Sequence, residues 1–114
     1  MTPRTQDDFL AVCGALNDET RVLLLRFLDA HGTLCVCDLQ ASLGMIQSRL
    51  SRHLKILREA GFVDVERKGT WAFYRIRPTR DPFRLTVLET VRTLDMVLPP
   101  LRKPSAKECP LPFD

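Results

Sequence analysis

Two cysteines separated by a single residue, Cys35 and Cys37, are the first groups in this sequence whose type and spacing can do chemistry. Thiolate sulfur is soft and polarisable, and it selects soft, thiophilic ions over hard ones. The pair lies in Thr33-Leu34-Cys35-Val36-Cys37-Asp38-Leu39, at the start of an expected short helix, whose N-terminal dipole favours the thiolate. On a regular helix, side chains two apart point about 200° from each other. Joint coordination by Cys35 and Cys37 therefore requires the first turn to unwind or to sit outside the helix. The bland alternative is that both cysteines pack as small apolar residues.

The second set of chemically informative residues is basic. Residues 46–77 hold eight Lys/Arg against three Asp/Glu, a net +5, whereas the rest of the chain sums to −2. Such concentration of positive charge suits a surface that meets phosphates. On a helix opened by Ile46 and closed at Gly61, Ile46, Leu50, Leu54 and Leu57 fall within about 80° of one another and form a stripe that docks on the domain. The opposite side carries Gln47, Ser48, Ser51, Arg52, Lys55 and Arg58. A helix fits the major groove of B-DNA, where Arg reads guanine and Gln reads adenine by paired hydrogen bonds. Gln47, Ser48, Ser51 and Arg52 are expected at bases or nearby phosphates, Lys55 on phosphate, and Arg49 on a flanking phosphate. His53 projects near the edge of the apolar stripe. It is either a packing histidine with one ring nitrogen bonded or a phosphate contact, and no partner lies one turn away to make it a metal ligand.

The elements that must position these groups follow from periodicity and punctuation. Phe9, Leu10, Cys13 and Leu16 have helical spacing over 7–16. Asn17-Asp18-Glu19-Thr20 caps a second helix running through Val22–Leu28, and Gly32 ends it. A short helix over 36–43 ends at Gly44, and the helix from Ile46 follows after a tight turn, a helix-turn-helix arrangement. Phe62-Val63-Asp64-Val65-Glu66 and Trp71–Ile76 read as the strands of a hairpin, with Arg67-Lys68-Gly69-Thr70 as the turn. Arg67 and Lys68 at that tip are expected on the minor groove or backbone. Trp71, Phe73 and Tyr74 are expected to fill the core beneath the hairpin, with base stacking on single strands as the lesser alternative. Asp81 and Pro82 open a last helix whose apolar face carries Leu85, Leu88, Val91 and Leu98. The expected fold is mainly α with a β-hairpin, a winged helix-turn-helix domain over 1–98. A proline-rich tail over 99–114, carrying Cys109, is expected to be extended or disordered. At 114 residues this is one domain. No apolar run approaches the roughly 18–20 residues that span a bilayer. The polar start does not resemble a secretory signal, so a cytoplasmic location is expected, where thiols stay reduced.

The run Leu50-Ser51-Arg52-His53-Leu54-Lys55-Ile56-Leu57-Arg58-Glu59-Ala60-Gly61-Phe62-Val63 resembles the recognition-helix signature of the ArsR/SmtB family of metal-responsive repressors. Arg67-Lys68-Gly69 and Tyr74-Arg75-Ile76 are similar to that family's wing, and Asn17-Asp18-Glu19-Thr20-Arg21 to its second-helix opening. The resemblance spans about residues 9–98. It implies a homodimer built from the first and last helices and repression by occupying operator DNA. An apolar last helix on so small a domain independently calls for a partner surface. Leu34-Cys35-Val36-Cys37-Asp38-Leu39 resembles the cysteine box of the arsenic- and antimony-responsive members. That implies arsenite or antimonite as inducer at Cys35 and Cys37, with cadmium, lead or zinc as alternatives. Members with this box often carry a third cysteine one turn later, where this chain has Gln40. The candidate third ligands are Cys109, Cys13 or none. The family's other site, His and carboxylate residues on the last helix, is expected to be absent, because Asp81, Glu89 and Asp95 have no histidine among them.

Three other readings compete, and the first, a pure protein-interaction module, would show no salt-dependent DNA binding. Catalysis would need a nucleophile in a recognisable setting, and neither His31 nor His53 provides one for a cysteine. The single-residue gap of Cys35-Val36-Cys37 also differs from the two-residue gap of thiol oxidoreductases. A redox-sensing repressor of the same fold is the stronger competitor, since low-pKa thiols oxidise readily.

Overall fold

The computed structural model describes residues 4–104. Helix α1 (Gln6–Leu16) starts where the Thr5 hydroxyl accepts from the amide of Asp8, and Asp7 and Asp8 place negative charge on its first turn. Asp18 caps α2 (Glu19–His31) by accepting from the Arg21 amide at 3.1 Å. A two-residue strand β1 (Leu34–Cys35) leads straight into α3 (Val36–Leu43). Gly44, at φ 64°, turns the chain out of α3 in the left-handed region that a side chain would disfavour. Helix α4 (Gln47–Glu59) follows, then strands β2 (Val63–Lys68) and β3 (Trp71–Ile76), and finally α5 (Pro82–Thr93), capped by Asp81 with proline at its first position.

The strands form an antiparallel sheet in the order β1-β3-β2, with Leu34 opposite Tyr74 and Val65 opposite Tyr74 on the other side. The core beneath it is built from Leu24, Leu25, Phe27 and Leu28 of α2, Leu50, Leu54 and Leu57 of α4, and Phe62, Val63, Ala72 and Tyr74 of the hairpin. The architecture is a winged helix-turn-helix, five helices and a small antiparallel sheet, as the sequence pattern implied.

Several particulars differ from the sequence reading. Strand β1 was not expected, because two residues carry no periodicity, and it exists only through its pairing with β3. The hairpin turn is shorter than expected, since Arg67 and Lys68 remain in β2 opposite Ala72 and Trp71. Ile46 does not join the apolar stripe; it caps α4 with extended backbone and is 69% exposed. Helix α5 ends at Thr93, so Leu98 lies beyond it, half-buried against the core. Residues 99–104 form no helix or strand, yet they are docked. The Ser42 hydroxyl accepts from the Arg102 amide at 2.8 Å and donates to the Arg102 carbonyl at 3.4 Å, and Leu101 packs against the core. Cys109 lies outside the described residues.

Candidate nucleic-acid interface and thiol site

Helix α4 divides cleanly by burial. Leu50, Leu54 and Leu57 are fully buried, and Ser48, Arg49, Arg52, Lys55 and Arg58 are exposed. Gln47 and Ser51 are half-buried along the margin. Lys55 lies 3.9 Å from Glu59, with both side chains largely in solvent, so the pair leaves the ammonium available. Arg49 and Arg52 have no carboxylate partner among the described residues. The exposed side of α4 is thus a row of cations, with Lys55 only loosely paired to Glu59, and small hydroxyls on one element.

His53 stands apart from that row. It is 8% exposed, and its Nδ1 lies 3.2 Å from a guanidinium nitrogen of Arg21 and 3.9 Å from an Asp18 carboxylate oxygen. Burial pushes its pKa below the ordinary imidazole value, with Arg21, Arg49 and Arg52 acting in the same direction and Asp18 opposing. A buried ring bonded to α2 packs helix α4 against the second helix. Of the two expectations for His53, this burial and the Arg21 contact fit the packing one.

Arg21 was not singled out from the sequence. Its guanidinium also donates to the carbonyls of Ala15 at 2.7 Å and Gly14 at 3.2 Å, so one side chain holds the end of α1 against α2 and α4. The hint in the sequence was a lone arginine just inside a capped helix start. At the wing, Arg67 and Lys68 are exposed at the end of β2, and the Lys68 ammonium lies 5.6 Å from the Phe73 ring centroid, a cation–π contact. The aromatic residues beneath divide as the core reading requires for Tyr74, 1% exposed, with Trp71 and Phe73 half-buried.

Cys35 and Cys37 sit where β1 becomes α3. Cys35 is the extended N-cap, at φ −68° and ψ 151°, and its amide donates to the Asp38 carboxylate at 3.1 Å. Because Cys35 lies outside the helical turn, the opposed directions of residues two apart on a regular helix do not apply to this pair. Cys35 is half-buried and Cys37 is 4% exposed. Cys35 and Cys13 carry free thiols, whereas Cys37 is disulfide-bonded. Cys13 is on the exposed side of α1. The Gln40 side-chain oxygen, one turn after Cys37, is buried and accepts no hydrogen bond from the described residues. Among the described residues no group of three or more His, Cys, Asp or Glu is gathered to hold an ion, so Cys35 and Cys37 would need a further donor.

A third surface is apolar. Phe9 and Leu10 of α1 are 46% and 54% exposed, Leu85 of α5 is 42% exposed, and Val97 beyond α5 is 94% exposed. Phe9 stacks on Phe83 with centroids 5.5 Å apart, which keeps the α1 and α5 ends of this surface together.

Residues 18–65 match the profile of a family described as bacterial regulatory protein, arsR family. The chain is 44% identical over 63 residues to the arsenic resistance transcriptional regulator ArsR1 of Pseudomonas putida, covering 55% of this chain and 49% of that regulator. It is 42% identical over 62 residues to an uncharacterized HTH-type transcriptional regulator of Methanocaldococcus jannaschii, covering 54% of this chain and 70% of that protein. The chain belongs to the ArsR family. It spans about half the length of the Pseudomonas relative. Among solved structures, this ArsR-family chain is similar to the AntR antimony-specific transcriptional repressor, with TM-score 0.60 and 30% identity over 79% of this chain and 84% of that one. It is also similar to a homodimeric winged helix-turn-helix DNA-binding domain from Mycobacterium bovis, with TM-score 0.64 and 26% identity over 81% and 87% of the two chains. No helix among the described residues is long and apolar enough to cross a membrane.

Proposed function

We propose that this ArsR-family protein is a cytoplasmic, homodimeric repressor that leaves its operator when trivalent arsenic or antimony binds Cys35 and Cys37. Gln47, Ser48, Arg49, Ser51, Arg52 and Lys55 of α4 contact double-stranded DNA, and Arg67 and Lys68 reach its backbone from the wing. The dimer forms through the exposed apolar residues of α1 and α5, setting two recognition helices about one DNA turn apart. The observation that carries the reading is the place of the cysteine pair. It sits at the β1–α3 junction, and α3 is joined to α4 by only Gly44, Met45 and Ile46. Ion capture that draws Cys35, the reduced Cys37 and a third sulfur to one centre shifts the head of α3, and the displacement passes to the helix lying in the groove. Cys109 supplies the third sulfur in this scheme.

The deciding experiment is release of a labelled operator duplex, under reducing conditions, by arsenite, antimonite, cadmium and zinc in turn. Cys35→Ser and Cys37→Ser are each expected to abolish release by arsenite while retaining operator affinity. Full release from either variant sinks the scheme.

One observation favours a second reading, a thiol-based redox sensor: the sulfur of Cys37 is already disulfide-bonded. Peroxide and arsenite, added separately to the DNA complex, discriminate the two readings.

A further inference from the structure

Arg84 joins three separate elements at the end of the recognition helix. Its Nε and Nη2 donate to the carbonyl of Ala60, the C-cap of α4, at 2.9 and 2.8 Å. Its Nη1 donates to the Asp81 carboxylate at the start of α5 at 2.7 Å, and its Nη2 to the Asp8 carboxylate of α1 at 2.8 Å. The terminal carbonyls of a helix have no partner within it, so a buried one needs a donor from elsewhere. Here the donor is a fork of two N–H groups, with the Arg84 side chain 13% exposed.

The surroundings are built for that fork. Gly61 has φ 85°, a backbone that favours glycine, and a Cβ there would come within 2.9 Å of Arg84 Nε, so a side chain at 61 would crowd the guanidinium on Ala60. The Phe62 ring lies below the guanidinium at 5.9 Å. Arg4 bonds to both Asp8 and Asp81, closing a four-membered ionic cluster. The Arg4 and Arg84 hydrogen bonds hold the Asp81 carboxyl well below the usual carboxylate range, and those from Arg84 and Arg4 lower that of Asp8.

We propose that Arg84 is a positioning residue that fixes the recognition helix relative to α1 and α5, and so sets the separation of the two recognition helices in the dimer. The inference rests on the operator-binding dimer proposed above. A two-fold protein reads two half-sites well only if its helices present the right spacing. Arg84 ties the end of the reading helix to the two helices that carry the dimer surface. Lysine in its place keeps a cation beside Asp8 and Asp81 but offers a point charge instead of the fork on Ala60.

The test uses the full chain and an operator selected from randomised duplexes, compared with a duplex carrying one half-site and with operators whose half-sites are one base pair closer or farther apart. Arg84→Lys is expected to bind the single half-site within about twofold of the wild type and the full operator about tenfold or more weakly, the scale of one lost charged hydrogen bond. Its preference for the selected spacing should flatten. Equal loss on both duplexes, or no loss on either, overturns the proposal. If Arg84→Lys lacks the wild-type dimer mass or circular dichroism, Asp8→Asn takes its place. That variant removes the ionic partner on α1 while keeping the bonds to Asp81 and Ala60, and should give the same pattern at about threefold. Uniform loss or wild-type behaviour there overturns the proposal too. A wild-type chain that sediments as a monomer overturns the dimer reading and this proposal with it. An Arg84 variant that matches a dimeric, operator-binding wild type overturns this proposal alone.

Discussion

The Arg21 guanidinium donates to Nδ1 of His53 across 3.2 Å, so the second helix grips the recognition helix through one imidazole nitrogen. Arginine has only donors, which makes Nδ1 the acceptor and puts the ring proton on Nε2. A proton added at Nδ1 would face Arg21 directly, with the Asp18 carboxylate 3.9 Å away as its counter-charge.

The pH dependence of stability follows. Burial lowers the His53 pKa in the folded state, so the unfolded chain takes up its proton first, near the ordinary value of about 6.5. Below that value the unfolded state binds more protons, and stability rises with pH. The contribution is fully present above about 6.5 and is lost as pH falls through the folded value. The urea midpoint should therefore be lower at acidic than at neutral pH. His53→Gln should flatten the profile in that window, and an unchanged profile would contradict the account.

The exposed cations of α4 predict a salt signature. Lys55→Ala should weaken operator binding evenly across sequences and reduce the slope of log affinity against log salt by about 0.9, the share of one phosphate. Arg52→Ala should cost about 1–3 kcal/mol and relax preference at one base pair. Both side chains are exposed, so thermal stability should change by no more than about 0.5 kcal/mol. Fluorescence anisotropy titrations at several salt concentrations supply both slopes and affinities.

Tyr74 is the one tyrosine of the chain, which makes its ionisation directly visible in the ultraviolet. Burial raises its pKa to about 12. Between about 10 and that value the unfolded state loses its proton first, so stability present below about 10 declines as pH rises, by up to about 2–3 kcal/mol. The titration midpoint should lie well above 10, and Tyr74→Phe should resist alkaline unfolding better. A tyrosinate band that appears at pH 10 in the folded protein would refute this.

Gln40 offers a test of the thiol scheme that adds rather than removes a ligand. Its side-chain oxygen is buried with no hydrogen bond from the described residues, one turn past Cys37, and oxygen is a poor donor to soft ions. Gln40→Cys puts a third sulfur on α3. The arsenite concentration giving half-release of the operator should fall by about tenfold or more, the scale of about 1.4 kcal/mol in binding. Loss of the dependence on Cys109 should accompany it. A response that still requires Cys109 equally would place the ion elsewhere.

Much of this protein was legible one segment at a time. The helix over 36–43, the longer one read from Ile46 to Gly61, the hairpin and the start of α5 at Asp81-Pro82 are all written in local spacing and caps, and so was the division of α4 into a buried stripe and a basic side. Periodicity and capping act within a few residues, so a linear reading captures them. The stripe was misjudged at Ile46 because a residue at the N-cap no longer follows the helical rotation.

By itself the sequence determined the order of the elements, the basic recognition helix and the cysteine pair at the head of α3, because each depends on near neighbours. Only the tertiary structure decided that Leu34 and Cys35 form a strand, that His53 faces Arg21 instead of solvent, that Arg102 is clasped by Ser42 and that Arg84 closes the end of α4. Those partners are 24 to 60 residues apart in the chain for the hydrogen bonds from Arg84, Arg21 and Arg102. No local pattern encodes them. They arise when packing brings a donor to a buried acceptor that would otherwise be left unsatisfied.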